Sequence, residues 1–163
     1  LVANLPYEVA SPLMILLAES FPAFSRGLFT VQMEVGERMT AGPGTRAYGL
    51  LGIYLQLHGR VKIVNSVLRQ LFWPVPNVDS VMVLFEREPG KRERVDDYAA
   101  LKRLLALGFN HRRKALLPLL KKKSGVAPEI LEIVWAKQRW DPMARAEEIS
   151  PEGWVALVNS VAG

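Results

Sequence analysis

The chain has 163 residues, half of them apolar, 9% aromatic and 23% charged; this composition builds a packed core and excludes wholesale disorder. With no Cys and two widely separated His, the sequence has no disulfide framework, no thiolate metal site and no basis for a zinc centre. The net charge of +5 is unevenly spread: residues 1–90 hold seven basic and seven acidic side chains, residues 91–123 eleven and three, residues 124–163 three and six. Charges interrupt every apolar run before the roughly 18 residues a membrane helix needs. Leu1-Val2-Ala3 has neither the basic nor the apolar region of a secretory leader, so a cytoplasmic protein is expected.

Leu1-Val2-Ala3 reads as the end of a buried strand running into Asn4-Leu5-Pro6-Tyr7, as though the sheet started at its own middle. Ser11-Pro12 has the residues of a helix cap and first position, which predicts a helix from there to about Ser20. A strand over Leu28–Met33, a short helix over Glu34–Thr40 ended by Gly42-Pro43-Gly44, and a helix over Tyr48–Leu57 come next. Val61–Val67 and Val81–Phe85 read as strands, separated by the proline-rich segment Phe72-Trp73-Pro74-Val75-Pro76. Alternating helices and strands up to about residue 88 predict an α/β sheet. Behind Glu88-Pro89-Gly90 the pattern becomes wholly helical, over Asp96–Phe109, Arg113–Lys122, Pro128–Ala136 and Pro151–Val161, the last capped by Ser150. The expected organisation is therefore an α/β domain over 1–90 and a small all-α domain over 91–163.

Asn4-Leu5-Pro6-Tyr7 places an amide, a proline-stiffened turn and an aromatic at the carboxyl end of a strand, where α/β sheets put their ligands. The arrangement suits methyl transfer to the exocyclic amine of a flat base. That lone pair is conjugated into the ring, and two acceptors on its N–H bonds favour the pyramidal, cationic nitrogen that develops as the methyl arrives. The Asn4 side-chain oxygen and the Leu5 carbonyl are candidates for those acceptors. Pro6, with its fixed φ, holds the carbonyl in place, and Tyr7 offers a stacking face. An ordinary strand-to-helix turn is the plainer alternative.

The tetrapeptide stands in company. Ser11-Pro12-Leu13, Gln32-Met33-Glu34-Val35-Gly36-Glu37-Arg38-Met39, Gly42-Pro43-Gly44, Tyr48-Gly49, Phe72-Trp73-Pro74-Val75-Pro76-Asn77-Val78-Asp79-Ser80, Phe109-Asn110-His111-Arg112-Arg113-Lys114 and Arg145-Ala146-Glu147-Glu148-Ile149-Ser150-Pro151 succeed it in order. Together they resemble the small-subunit ribosomal RNA adenine N6,N6-dimethyltransferases, from about residue 2 to 161. The resemblance implies the C-terminal part of a Rossmann-like class I methyltransferase sheet followed by a small helical RNA-binding domain. It implies S-adenosylmethionine as methyl donor, with Asn4 touching both cofactor and base, and Phe72 as a second aromatic near the target base beside Tyr7. It further implies a preceding nucleotide-binding half, with a Gly-rich loop and a ribose-binding acid, that these residues do not contain. Gly42-Pro43-Gly44 with Gly49 does not replace that loop, because it follows a helix and lacks the spacing. The chain by itself is accordingly expected to be inactive, and to expose an apolar strand edge around Leu1–Ala3 and Leu28–Met33 that favours self-association.

Arg112-Arg113-Lys114 and Lys121-Lys122-Lys123 bracket Ala115–Leu120, predicting a helix with an apolar face and basic ends. Such a concentration of charge suits phosphate backbones, less well an acidic membrane surface, or else is a solvated face; the resemblance implies that the partner is small-subunit rRNA or a ribosomal subunit precursor. Arg38 and Arg46 flank the Gly-Pro-Gly loop as further candidates, Asp79-Ser80 is expected to order the turn into the next strand, His111 to join the basic cluster and His58 to be structural. Two other functions remain open on sequence: a non-catalytic nucleic-acid-binding assembly or transcription factor on the same fold, and the related methylase of large-subunit rRNA.

Overall fold

The computed structural model describes residues 1–5 and 7–162, with only the backbone of residues 7, 8 and 162. The chain divides into two compact units, Leu1–Gly42 with Arg46–Lys91, and Pro43–Thr45 with Arg92–Gly163.

The first unit is built on a four-stranded mixed sheet. Its elements are β1 (Val2–Asn4), α1 (Tyr7–Ser20), β2 (Arg26–Gln32), α2 (Met33–Thr40), α3 (Leu50–Gln56), β3 (Gly59–Val67) and β4 (Ser80–Arg87), with strand order β1-β2-β4-β3. β1 lies parallel to β2, and β4 runs antiparallel to both β2 and β3. β1, β2 and β3 therefore share one direction, and their carboxyl ends lie along one end of the sheet. Alternation places Phe29 and Val31 of β2 and Val81, Val83 and Phe85 of β4 in the core. Ala10, Met14 and Ala18, spaced four apart, bring one stripe of α1 onto them, and Met39, Leu51 and Leu55 complete the cluster. Phe24 stacks on Phe85, ring centroids 5.4 Å apart. Gly36 lets α2 sit close to the sheet, since a Cβ there would stand 2.3 Å from Val81 Cγ2. Arg87 collects carbonyls from the last turn of α1 and the loop after it, donating to Ala18 at 2.7 Å and Phe24 at 2.9 Å.

Two expectations for this unit are corrected. α1 begins at Tyr7, not Ser11, and carries Pro12 in its interior. Its buried stripe begins at Ala10, upstream of Ser11, so burial holds a turn that the local cap signal would have cut off. Of the two stretches expected to form an apolar edge, only β1 does so, with Val2 79% exposed. β2 is flanked on both sides, by β1 and β4, and presents no edge.

The second unit contains α4 (Tyr98–Asn110), α5 (Leu116–Lys123), α6 (Pro128–Gln138) and α7 (Pro151–Ala162). Leu101, Leu105, Leu116, Leu120, Leu131, Trp135, Trp154 and Val158 recur at helical spacing and are buried. Asp97 caps α4 by accepting the Ala100 amide at 2.8 Å, and Ser150 caps α7 by accepting the Gly153 amide at 3.0 Å. The helix expected from Arg113 starts only at Leu116. Ala115 is drawn into an antiparallel bridge with Arg145, and the Leu116 amide donates to the Ala144 carbonyl at 2.8 Å. Pro118 then falls in the first turn, where its missing N–H has no helical acceptor to satisfy. Arg112-Arg113-Lys114 consequently occupies a turn between α4 and α5 instead of a helix end.

Candidate functional site

Asn4 closes β1 at the carboxyl end of the sheet, exposed and in register with Thr30 of β2. Leu5 comes after it half-buried, its side chain packed against the core cluster, which fixes where the chain turns out of the strand. Pro6 lies outside the described residues, and of Tyr7 only the backbone, opening α1, is described.

The loop between β3 and β4 emerges at the same end of the sheet. Its base is tied down by Asp79, whose carbonyl accepts the Met33 amide at 3.0 Å and whose carboxylate accepts the Arg69 amide at 3.3 Å. Ser80 is fully buried and opposite both Gln32 and Val67. One residue therefore joins the ends of β2, β3 and β4. A short 3₁₀ turn over Arg69–Leu71 leads to Phe72, half-buried with extended backbone, and then to Trp73, which is 95% exposed. Asn4 and Phe72, far apart in sequence, thus leave the same end of one sheet. They leave it from its two outer strands, β1 and β3, with β2 and β4 between them.

Toward the S-adenosylmethionine implied by the resemblance, the described residues fit only in part. Asn4 stands at the right strand end, but among the described residues no strand passes into a helix through a glycine-rich turn. Among them, too, no three His, Asp or Glu side chains converge as metal ligands would. His58 is buried in the sheet unit, its carbonyl accepting the Glu88 amide at 3.1 Å.

In the helical unit the six basic candidates differ in what they touch. Arg112 is ion-paired with Glu147, and its other nitrogen donates to the Thr45 carbonyl at 3.5 Å. The Gly44 amide donates to the Glu147 backbone at 2.8 Å, so residues 43–45 are anchored by the same partners. Lys121 is ion-paired with Glu132. Lys123 reaches His111 Nε2 at 3.1 Å while His111 Nδ1 lies 3.0 Å from the Leu107 carbonyl. A carbonyl only accepts and an ammonium only donates, so Nδ1 carries the ring proton and Nε2 the lone pair. Arg113, Lys114 and Lys122 stand exposed, as do Arg38 and Arg46. Neither Trp73 nor Glu147 stands out by itself in the sequence. For Trp73 the available signal is its place beside Phe72; Glu147 lies in the Arg145–Pro151 stretch, but nothing local marks it as the partner of Arg112, 35 residues away.

Comparison with known proteins bears on this arrangement. The family profile described as ribosomal RNA adenine dimethylase matches residues 1–162. The "Ribosomal RNA small subunit methyltransferase A" of Rubrobacter xylanophilus is 42% identical over 161 residues, covering 99% of this chain and 59% of that protein. Its namesake in Bifidobacterium adolescentis is 38% identical over 169 residues, covering 99% of this chain and 54% of that protein. The chain thus spans somewhat over half the length of these relatives. Among solved structures, a dimethyladenosine transferase from Plasmodium falciparum superposes with a TM-score of 0.77 at 24% identity, over 96% of this chain and 64% of that one. The 23S rRNA methyltransferase ErmE superposes with a TM-score of 0.71 at 23% identity, over 99% and 64%. At such identities these two speak for the fold alone, an α/β sheet followed by helices. With its profile matched along nearly the whole length and relatives near 40% identity, the chain belongs to the ribosomal RNA adenine dimethylase family.

Proposed function

We propose that this chain forms the base-receiving and RNA-holding part of an S-adenosylmethionine-dependent enzyme that dimethylates N6 of adenines in small-subunit rRNA, in the cytoplasm, on a ribosomal subunit precursor. The observation that supports the reading is that Asn4-Leu5 and the Phe72 loop leave the same carboxyl end of one sheet, the loop tied at its base to the end of β2, the neighbour of β1. An adenine turned out of its stack is held there between aromatic faces, those of Tyr7 and Phe72. The Asn4 side-chain oxygen and the Leu5 carbonyl accept the two N6–H bonds and orient the nitrogen lone pair. As the nitrogen gains its new bond, the same two oxygens stabilise the developing positive charge, and the proton then leaves to water. The cofactor, when bound, would supply the methyl as a sulfonium whose S–CH3 bond breaks as the N–C bond forms, its electron pair staying on the departing neutral thioether, and no covalent bond to the protein is needed. After the first transfer one N–H remains for one acceptor, and the same geometry serves the second.

The helical unit contributes the electrostatic hold. Exposed Arg113, Lys114 and Lys122 suit the regularly spaced phosphates of an A-form helix, which is recognised by shape and backbone. The small-subunit substrate is favoured over the large-subunit one because the relatives at 38–42% identity carry the small-subunit name.

The test is Asn4→Ala in a longer protein that includes the cofactor-binding half, assayed on unmethylated small subunits. Methyl transfer should fall about 100- to 1000-fold, as for loss of one preorganised hydrogen-bond partner, with RNA affinity kept. A variant methylating at the wild-type rate would overturn the role of Asn4.

A further inference from the structure

Trp73 is 95% exposed, while Trp135 and Trp154 are 3% and 0% exposed and Trp140 is half-buried. A side chain of this size ordinarily supplies a large share of a core, so an indole held almost entirely in water marks a surface awaiting a partner. The surroundings point the same way. Leu68, Leu71 and Val75 of the same loop are 60%, 76% and 52% exposed, and Arg69 stands exposed beside them. The loop is nevertheless held firmly at its base: the Asp79 carboxylate accepts the Arg69 amide, the Leu71 amide donates to Leu68 at 3.1 Å and the Phe72 amide to Arg69 at 3.2 Å. Pro74 and Pro76 restrict the backbone on the other side of Trp73.

We propose that Trp73 is a stacking platform for an unpaired nucleobase that neighbours the adenine received beside Asn4, with Arg69 available to its phosphate. The inference rests on the functional reading above and extends it to the flanking nucleotide. Two observations select this occupant. Phe72 has φ −110° and ψ 149°, so in its extended backbone Phe72 and Trp73 project to opposite sides, and Trp73 offers a second face separate from that of Phe72. The loop also leaves the sheet at the same end as Asn4, so the group that reaches Trp73 while a base lies at Phe72 is the continuation of the same strand of RNA. A flat apolar face next to a guanidinium is the pairing by which single-stranded nucleic acid is held without reading its sequence.

The experiment uses the 163-residue chain, a labelled single-stranded oligoribonucleotide and the same sequence as a duplex. Anisotropy of the label reports binding, and tryptophan emission reports Trp73, against the background of the other three given by Trp73→Phe. Single-stranded RNA should quench the Trp73 emission. Trp73→Ala should weaken its binding about tenfold, Trp73→Phe should restore it to within about threefold, and duplex affinity should respond to neither change. Removing a side chain this exposed leaves the fold intact, which thermal unfolding of both variants checks. Wild-type chain that binds no RNA at all would sink the RNA reading and this inference with it. Binding that is tight, unquenched and indifferent to Trp73→Ala would overturn this inference alone. So would a Trp73 emission that is already shielded from acrylamide, whether by self-association or by the remainder of a longer protein.

Discussion

In the sheet unit, the large apolar side chains left in water are densest on the β3–β4 loop, at Leu68, Leu71, Trp73, Val75 and Val78, with others at Leu1 and Val2, at Val9, Leu16 and Phe21, and at Ile63 and Val64 of β3. In the helical unit, the positions around the buried stripes carry charge instead, with Arg113, Lys114 and Lys122 exposed and only scattered apolar exceptions such as Ile133 and Met143. The contrast separates two kinds of recognition. Flat apolar faces beside backbone and amide acceptors suit bases that have left their stack, whereas fixed positive charge suits phosphates that never do. The two indoles Trp73 and Trp154 mark the contrast most sharply.

Trp154 is fully buried, faces Phe109 at 6.2 Å between ring centroids, and occupies space that Gly108 leaves open, a Cβ there lying 3.0 Å from its ring. Trp154→Ala should therefore cost the helical unit about 3–5 kcal/mol, the usual range for removing a large core aromatic. Trp73→Ala should stay within about 0.5 kcal/mol of wild type, as surface substitutions do. Urea unfolding of both variants decides the matter. Equal losses would mean that the exposed indole is packed in solution and the contrast is not real.

Much of this is legible in the sequence. Val81, Val83 and Phe85 alternate as a half-buried strand must, and Leu101, Leu105 and Leu116, Leu120 recur as core-facing helices must, so the α/β-then-helical order comes from period alone. The features that escape are decided by distant residues. Ser11-Pro12 is a sound local cap signal, yet the stripe through Ala10, Met14 and Ala18 extends α1 across it. Ala115 is kept out of α5 by Arg145, which no local window includes. At the candidate site, Asn4 and Phe72 are recognisable from their motifs, and Asp79 as a residue that orders the turn. Which tryptophan is buried is a property of the packed molecule, and the residue type is the same at 73, 135, 140 and 154. Arg112 and Arg113 also read alike, though only the first is ion-paired with Glu147.

That last difference makes the charged side of the comparison testable. Replacing Arg113, Lys114 and Lys122 together by Ala should lower the salt slope of RNA binding by roughly 0.7–0.9 for each phosphate no longer neutralised, across unrelated sequences. Arg112→Ala should act chiefly on stability, since it leaves the half-buried Glu147 carboxylate without its partner. Fluorescence titrations over several salt concentrations, with unfolding curves for each variant, separate the two. An unchanged slope in the triple variant would reduce the cluster to a solvated face.

The sheet unit carries charge as well, part of it in ion pairs, and Glu88 shows how little such a pair is expected to matter. Its carboxylate meets Lys91 at 2.8 Å and Arg60 at 3.0 Å, joining the end of the unit to the start of β3. The hydrogen bond from Lys91 chiefly holds its pKa below the ordinary 4.5; desolvation pushes the other way, and the charges of Lys91 and Arg60 add to the lowering. A group held below its unfolded value releases its proton more readily when folded. The stability it contributes is thus fully present above about pH 4.5 and disappears as the pH falls through the lowered value. Both cationic partners are in contact with water, so the contribution is on the order of a few tenths of a kcal/mol and shrinks with added salt. Glu88→Gln should accordingly be slightly less stable than wild type at neutral pH and indistinguishable from it in acid. Thermal unfolding of the pair from about pH 7 down to about pH 3, at low and high salt, measures the difference. A gap that widened on acidification would mean that Glu88 is stabilised in its neutral form, and the ion pair would have to be given up.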